Sequence, residues 1–166
     1  SEDGAPLCVC APSSGVGRGI VTTDRTGTAG YNAAPSPSGD YTSAFSGTSA
    51  ATPQVAGVVA LMLQANPELG WRDVQQILMR TARKIDALHP DWTTNVAGHH
   101  VNHSYGFGLV DARAAVEAAK SWTPLAVETA VEGTAEVKAP IPDGSGSGVS
   151  SSISLAAALP AVRIEY

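Results

Sequence analysis

Charge is scarce in this 166-residue chain: Asp, Glu, Lys and Arg make up 15% of it, and none falls between Asp40 and Glu68. A net charge of −5 and the lack of a basic stripe exclude the electrostatic footprint of a nucleic-acid-binding protein. Long hydrophobic runs are missing as well. The longest strongly apolar stretch, Val55 to Leu63, is too short to cross a bilayer, so no transmembrane segment is expected. Cysteine is limited to Cys8 and Cys10. At that spacing both side chains point to one face of a strand, where a bridge between them would be strained. No second Cys or His pair follows at finger-like spacing, which leaves two buried, reduced thiols as the reading. Disorder is excluded by a hydrophobic content of 43%.

What is present suits one domain with a real core and part of another. The chain opens abruptly on "SEDGAPLCVCAP", with no leader-like segment before the first motif, and reads as the middle of something longer. "LCVCAP" predicts a short buried strand ending at Pro12, and "RGIVTTD", Arg18 to Asp24, a second one rich in β-branched residues. Gly27 to Gly39 is a surface loop of Gly, Pro, Ser, Asn and Thr. The uncharged span beyond it holds "FSGTSAATPQVAG" and a helix predicted to be enclosed on every side, with Gly57 where a larger residue would overpack. A second helix begins near Trp71. It carries Val74, Ile77 and Leu78 on one stripe, while Arg72, Asp73, Gln75 and Gln76 fall away from it. A long loop leads to a third helix from about Asp111, a plausible N-cap, to Lys120. Past Trp122 helical periodicity stops and strand and turn signals take over, which places a domain boundary near Ser121.

Ser49 is the residue with chemistry to offer. A hydrolytic serine needs an exposed hydroxyl, a base within reach and donors for an oxyanion. In "GTSAATP" Gly47 permits a tight turn, Thr48 supports it, and Ser49 stands at a helix start, where free N–H groups favour developing negative charge. Ala50 and Ala51 leave room, and Pro53 falls in the first turn, where a missing N–H costs little. A serine that merely caps the helix would occupy the same place. Yet five or six specified positions coincide, a chance match on the order of one in several thousand. Ser49 is accordingly read as both nucleophile and helix cap.

"SGTSAATPQVAG" resembles the serine motif of the subtilisin-like proteases (peptidase S8). "GIVTTD", "ANPELGWRDVQQIL", "DWTTNVAG" and "HSYGFGLVDA" resemble, in order and spacing, their kexin/furin or proprotein-convertase branch. The resemblance implies an α/β fold: the C-terminal part of a three-layer, parallel-sheet catalytic domain over residues 1–120. Residues 121–166 would then open a P (Homo B) β-sandwich, in keeping with "IPDGSGSGVSSSISL". It implies a secreted, periplasmic or cell-surface serine endopeptidase that cleaves proteins or peptides, by family habit after basic residues. Ser49 would be the nucleophile, and Gly47 and Thr48 would support the turn and the oxyanion site. The triad's His and Asp and the second oxyanion donor, an Asn, are expected upstream and outside this chain, which alone should be inactive. Calcium is implied as a structural ion, with Glu2 matching one ligand position, and a prosegment or inhibitor as a partner.

Two other arrangements use residues that are present. His89, His99, His100 and His103 all follow Ser49, the wrong order for this family's triad, although triads of other order exist. His99, His100 and His103 of the "HHxxH" run could form a zinc site, but adjacent and i+3 spacings on a loop do not prearrange three ligands. A binding module built from a retired protease is the reading from another class, and the intact Gly-Thr-Ser speaks against it.

Overall fold

The computed structural model describes Gly4 and residues 7–126. The chain divides between Leu125 and Ala126, and the expected P-domain strands lie outside the described residues, as does Glu2. Two short strands, β1 (Ile20–Thr23) and β2 (Tyr41–Phe45), pair antiparallel. They bracket a loop with 3-10 turns at Gly27–Ala29 and Ser38–Asp40. That loop is organised by two carboxylates. Asp24 accepts from the Asn32 and Arg25 amides, and Asp40 from the Ser36 hydroxyl and the Gly27 amide. These donors hold both carboxyls below the usual Asp range. Helix α1 (Thr48–Ala65) follows, then α2 (Trp71–Thr81). The two-residue strands β3 (Thr93–Thr94) and β4 (His100–Val101) form a second antiparallel pair, and α3 (Ala112–Lys120) comes last.

The core lies among the three helices. Val58 and Met62 of α1, Ile77 and Leu78 of α2, and Ala115 and Ala119 of α3 are buried together with Leu69 of the α1–α2 connection. Small alanines on α3 let it approach both other helices closely. Asn66, just past α1, turns the end of α3 into part of this core: its side-chain N–H groups donate to the carbonyls of Ala119 and Trp122 at 3.0 and 3.3 Å. Carbonyls at a helix C-terminus lack intrahelical donors, so this satisfies groups that burial would otherwise leave costly. Asp111 caps α3 as expected, accepting from the Ala114 amide at 3.0 Å. Replacing it by alanine should cost about 1 kcal/mol in urea unfolding of the protein.

Three expectations are corrected. The two ladders are antiparallel, and among the described residues parallel pairing is confined to the bridge between Cys10 and Leu109. The Leu7–Cys10 segment finds its partners in residues 106–110 rather than in another long strand, so Cys8 and Cys10 end up half-buried and free. Burial still raises both thiol pKa values. Second, the described residues do not enclose α1. Ala50, Val58 and Met62 are buried, whereas Ser49, Thr52, Pro53, Ala56, Gly57, Ala60 and Leu61 form an exposed stripe at helical spacing. A Cβ added at Gly57 would meet nothing within 4 Å. Absence of charge was a sound sign of an apolar environment, but the packing partners described here reach one side of the helix. Third, Asp73 does not face solvent with its charged neighbours: it is 3% exposed. Its carboxylate accepts from the Gly70 amide, the Trp122 indole and the Leu125 amide at 2.8, 2.9 and 2.8 Å.

The glycines of "YGFG" mark a crossing of backbones. Phe107 donates to the Cys8 carbonyl, Cys10 to Gly108 and Val110 to Cys10, while Arg83 and Leu109 exchange two bonds on the other side. Gly106 (φ 59°) and Gly108 (φ 121°) have positive φ. A Cβ would stand 2.3 Å from the Cys8 carbonyl oxygen at the first and 2.3 Å from that of Arg83 at the second. Only glycine fits where backbone meets backbone this closely.

Candidate active site

Gly47, with φ 76°, turns the chain from β2 into α1 and is the N-cap. Thr48 is the first helical residue and Ser49 the second, so Ser49 is not the cap that its position in the motif suggested. Glycine replaces it in that role because the positive φ would strain any side chain there. Ser49 is exposed, and no hydrogen bond engages its hydroxyl among the described residues. Its amide and that of Thr48 fall among the helix's leading N–H groups, which have no intrahelical acceptor. Pro53 is the sixth helical residue, beyond the first turn where the sequence reading placed it. It has no N–H to return to the Ser49 carbonyl four residues back, yet the helix continues through it. The result is a solvent-facing hydroxyl beside unpaired backbone donors at the positive end of an 18-residue helix.

The histidines do not join it. His103 binds Asp91 through ring and backbone: Nδ1 lies 3.0 Å from both carboxylate oxygens, and the amide donates to Oδ2 at 2.6 Å. The backbone donor, the ring bond and the nearby imidazole hold the Asp91 carboxyl below its ordinary range. His89 Nδ1 lies 3.0 Å from the side-chain nitrogen of Asn102. The other end of that buried amide, Oδ1, accepts from the Ser104 and Tyr105 amides, so it is the NH2 group that faces His89. His100 and Tyr105 pack on Trp92, and His99 packs edge-on to Phe107. All four thus build the loop between α2 and α3, and none bonds to Ser49. Among the described residues no three His, Cys, Asp or Glu side chains come together to hold a metal. The zinc arrangement is not formed among the described residues.

A model of the subtilase family of peptidases (S8) matches residues 5–108, a span containing the whole Gly47–Pro53 turn. The chain belongs to the subtilase family. Among curated relatives, human proprotein convertase subtilisin/kexin type 6 is 54% identical over 84 residues, 51% of this chain and 9% of that protein. Mouse proprotein convertase subtilisin/kexin type 7 is 47% identical over 108 residues, 65% of this chain and 13% of that protein. This subtilase chain therefore spans about a tenth of the length of those convertases. Among solved structures, the serine protease of Aeromonas sobria superposes with a TM-score of 0.62 at 33% identity, over 66% of this chain and 24% of that one. The same protease in complex with a chaperone, ORF2, gives 0.62 at 31% identity. The resemblance seen in the motifs is thus shared by relatives of the kexin/furin type, and the subtilisin-like fold by a bacterial protease.

Two features of the site were not read from the sequence. Ser13 and Gln54 contact the turn that carries Ser49. Ser13 reaches Gly47 across 34 residues, and Gln54, which also bonds Ala50 within the helix, ties the turn to Pro12 across 42, separations no local pattern reports.

Proposed function

We propose that this chain is the nucleophile-bearing part of a serine endopeptidase. The supporting observation is the exposed, unbonded Ser49 hydroxyl at the start of α1, in a chain of the subtilase family. Ser49 Oγ attacks the scissile carbonyl carbon and its proton passes to a histidine base outside this chain. Charge then collects on the carbonyl oxygen, to which the Ser49 amide donates. Collapse of the tetrahedral intermediate expels the amine, protonated by the same histidine, and water later releases the acyl group. Gly47 and Thr48 hold the turn that presents these groups.

Cleavage after basic residues, action outside the cytoplasm and control by a prosegment or inhibitor belong to the same reading. Its support is the likeness to proteins named proprotein convertases. The Aeromonas protease, solved with a chaperone, suggests a protein partner in folding as well. Among the described residues no helix is long and apolar enough to cross a membrane. Calcium would be held by carboxylates beyond the described residues, Glu2 among them.

Incubating the full-length protein with a fluorophosphonate should label Ser49. Failure to label it in calcium-replete buffer would sink the proposal. By itself the 166-residue chain should neither label nor turn over, because no described base reaches Ser49.

The bare stripe of α1 gives an independent check. If further protein covers it, Gly57→Leu should lower the stability of the full-length enzyme by about 1–3 kcal/mol through overpacking. In this chain alone the same change should leave stability level or raise it by up to about 1 kcal/mol, since leucine is the better helix former. Equal effects in both would argue that the stripe stays bare.

A further inference from the structure

Two side chains hold the helix start on either side of Ser49. The Ser13 hydroxyl donates to the Gly47 carbonyl at 2.9 Å, and the Ala50 amide donates to the same oxygen at 3.1 Å. From within the helix, the Gln54 side-chain NH2 donates to the Ala50 carbonyl at 2.8 Å and to the Pro12 carbonyl at 2.7 Å. Pro12 and Ser13 are neighbours, so one short piece of backbone grips the residue two before Ser49 and the residue one after it.

The grip falls where the helix is weakest. Pro53 withholds the N–H that would tie the Ser49 carbonyl, which leaves the first turn one hydrogen bond short at the serine itself. Gln54, the next residue, adds a side-chain bond to the adjacent carbonyl and carries it across to Pro12. The Ser49 hydroxyl is engaged by neither residue.

We infer that Ser13 and Gln54 are positioning residues for the nucleophile: they fix where Ser49 points without touching the reacting atoms. This rests on the proteolytic reading of Ser49. Reaction at a serine depends on the approach angle and distance of Oγ, and misplacement by about 1 Å costs roughly 100-fold in rate. A turn tethered at both flanks keeps that error small.

The test uses the full-length protein with Ser13→Ala, Ser13→Thr and Gln54→Met, the last close in size but without a donor. Fluorophosphonate labelling rate, kcat and KM are measured, together with amide hydrogen exchange across residues 47–54. The alanine and methionine variants should label and turn over about 10- to 100-fold more slowly with KM unchanged. Exchange at Ala50 should quicken in both, and Ser13→Thr should restore most of the rate. Wild-type rates accompanied by nothing more than a lowered melting temperature would overturn the inference, as would unaltered exchange. Should the wild type fail to label while exchange still quickens in the variants, the proteolytic reading falls and the tether stands.

Discussion

Ser49→Ala in the full-length protein is expected to abolish peptide-bond hydrolysis, lowering kcat by at least about 10^4-fold. The size follows from the step removed: without Oγ there is no acyl-enzyme, and what remains is the binding and oxyanion stabilisation supplied by backbone amides. Folding should be untouched. The side chain is exposed and makes no described hydrogen bond, so stability should stay within about 0.5 kcal/mol of wild type. Steady-state kinetics on a peptide with basic residues, beside a melting curve, separates the two effects. Residual activity within tenfold of wild type would mean that another group attacks the carbonyl.

Asp73→Ala is expected to have the largest effect on stability, about 3–5 kcal/mol in urea unfolding, because it strands three donors at a buried position. Asp73→Asn should lose less, since one acceptor oxygen remains. A pH dependence accompanies the loss. Burial raises the Asp73 pKa, but the bonds from Leu125, Trp122 and Gly70 outweigh it, so the folded carboxyl titrates below its usual value. A carboxyl depressed in the folded state contributes stability that is complete above its unfolded pKa, about 3.9, and is lost as pH falls through the folded value. The gap between wild type and Asp73→Asn should therefore be constant near neutrality and shrink below about pH 4. A gap that widened in acid would contradict the hydrogen-bonded carboxylate.

Much of this was legible in the sequence wherever the physics is local. Asp111 caps the helix that begins right after it, and Val74, Ile77 and Leu78 share a face because helical spacing requires it. The motif around Ser49 could be read because its turn, its helix start and its exposed serine lie within seven residues, Gly47 to Pro53. Asp73 could not be read, since its partners Trp122 and Leu125 lie 49 and 52 residues on. The Ser13 and Gln54 tethers escaped for the same reason. The strand pair β3–β4 escaped because two residues are too few to set a period. Misjudging α1 had a different cause: a helix records the surroundings in which it was selected, and the described residues supply one side of them.

The crossing at "YGFG" also fixes an order of events. The bonds of Cys8 and Cys10 reach to Phe107, Gly108 and Val110, so that backbone cannot find its partners until the far end of the unit has been made. Contacts of such sequence separation form late, since a long loop must close first. Ser13 lies a few residues beyond Cys10. On a ribosome, Ser49 would therefore emerge well before residues 8–10 could settle, and the turn that carries it would gain its neighbours only once the chain is long enough to fold around it.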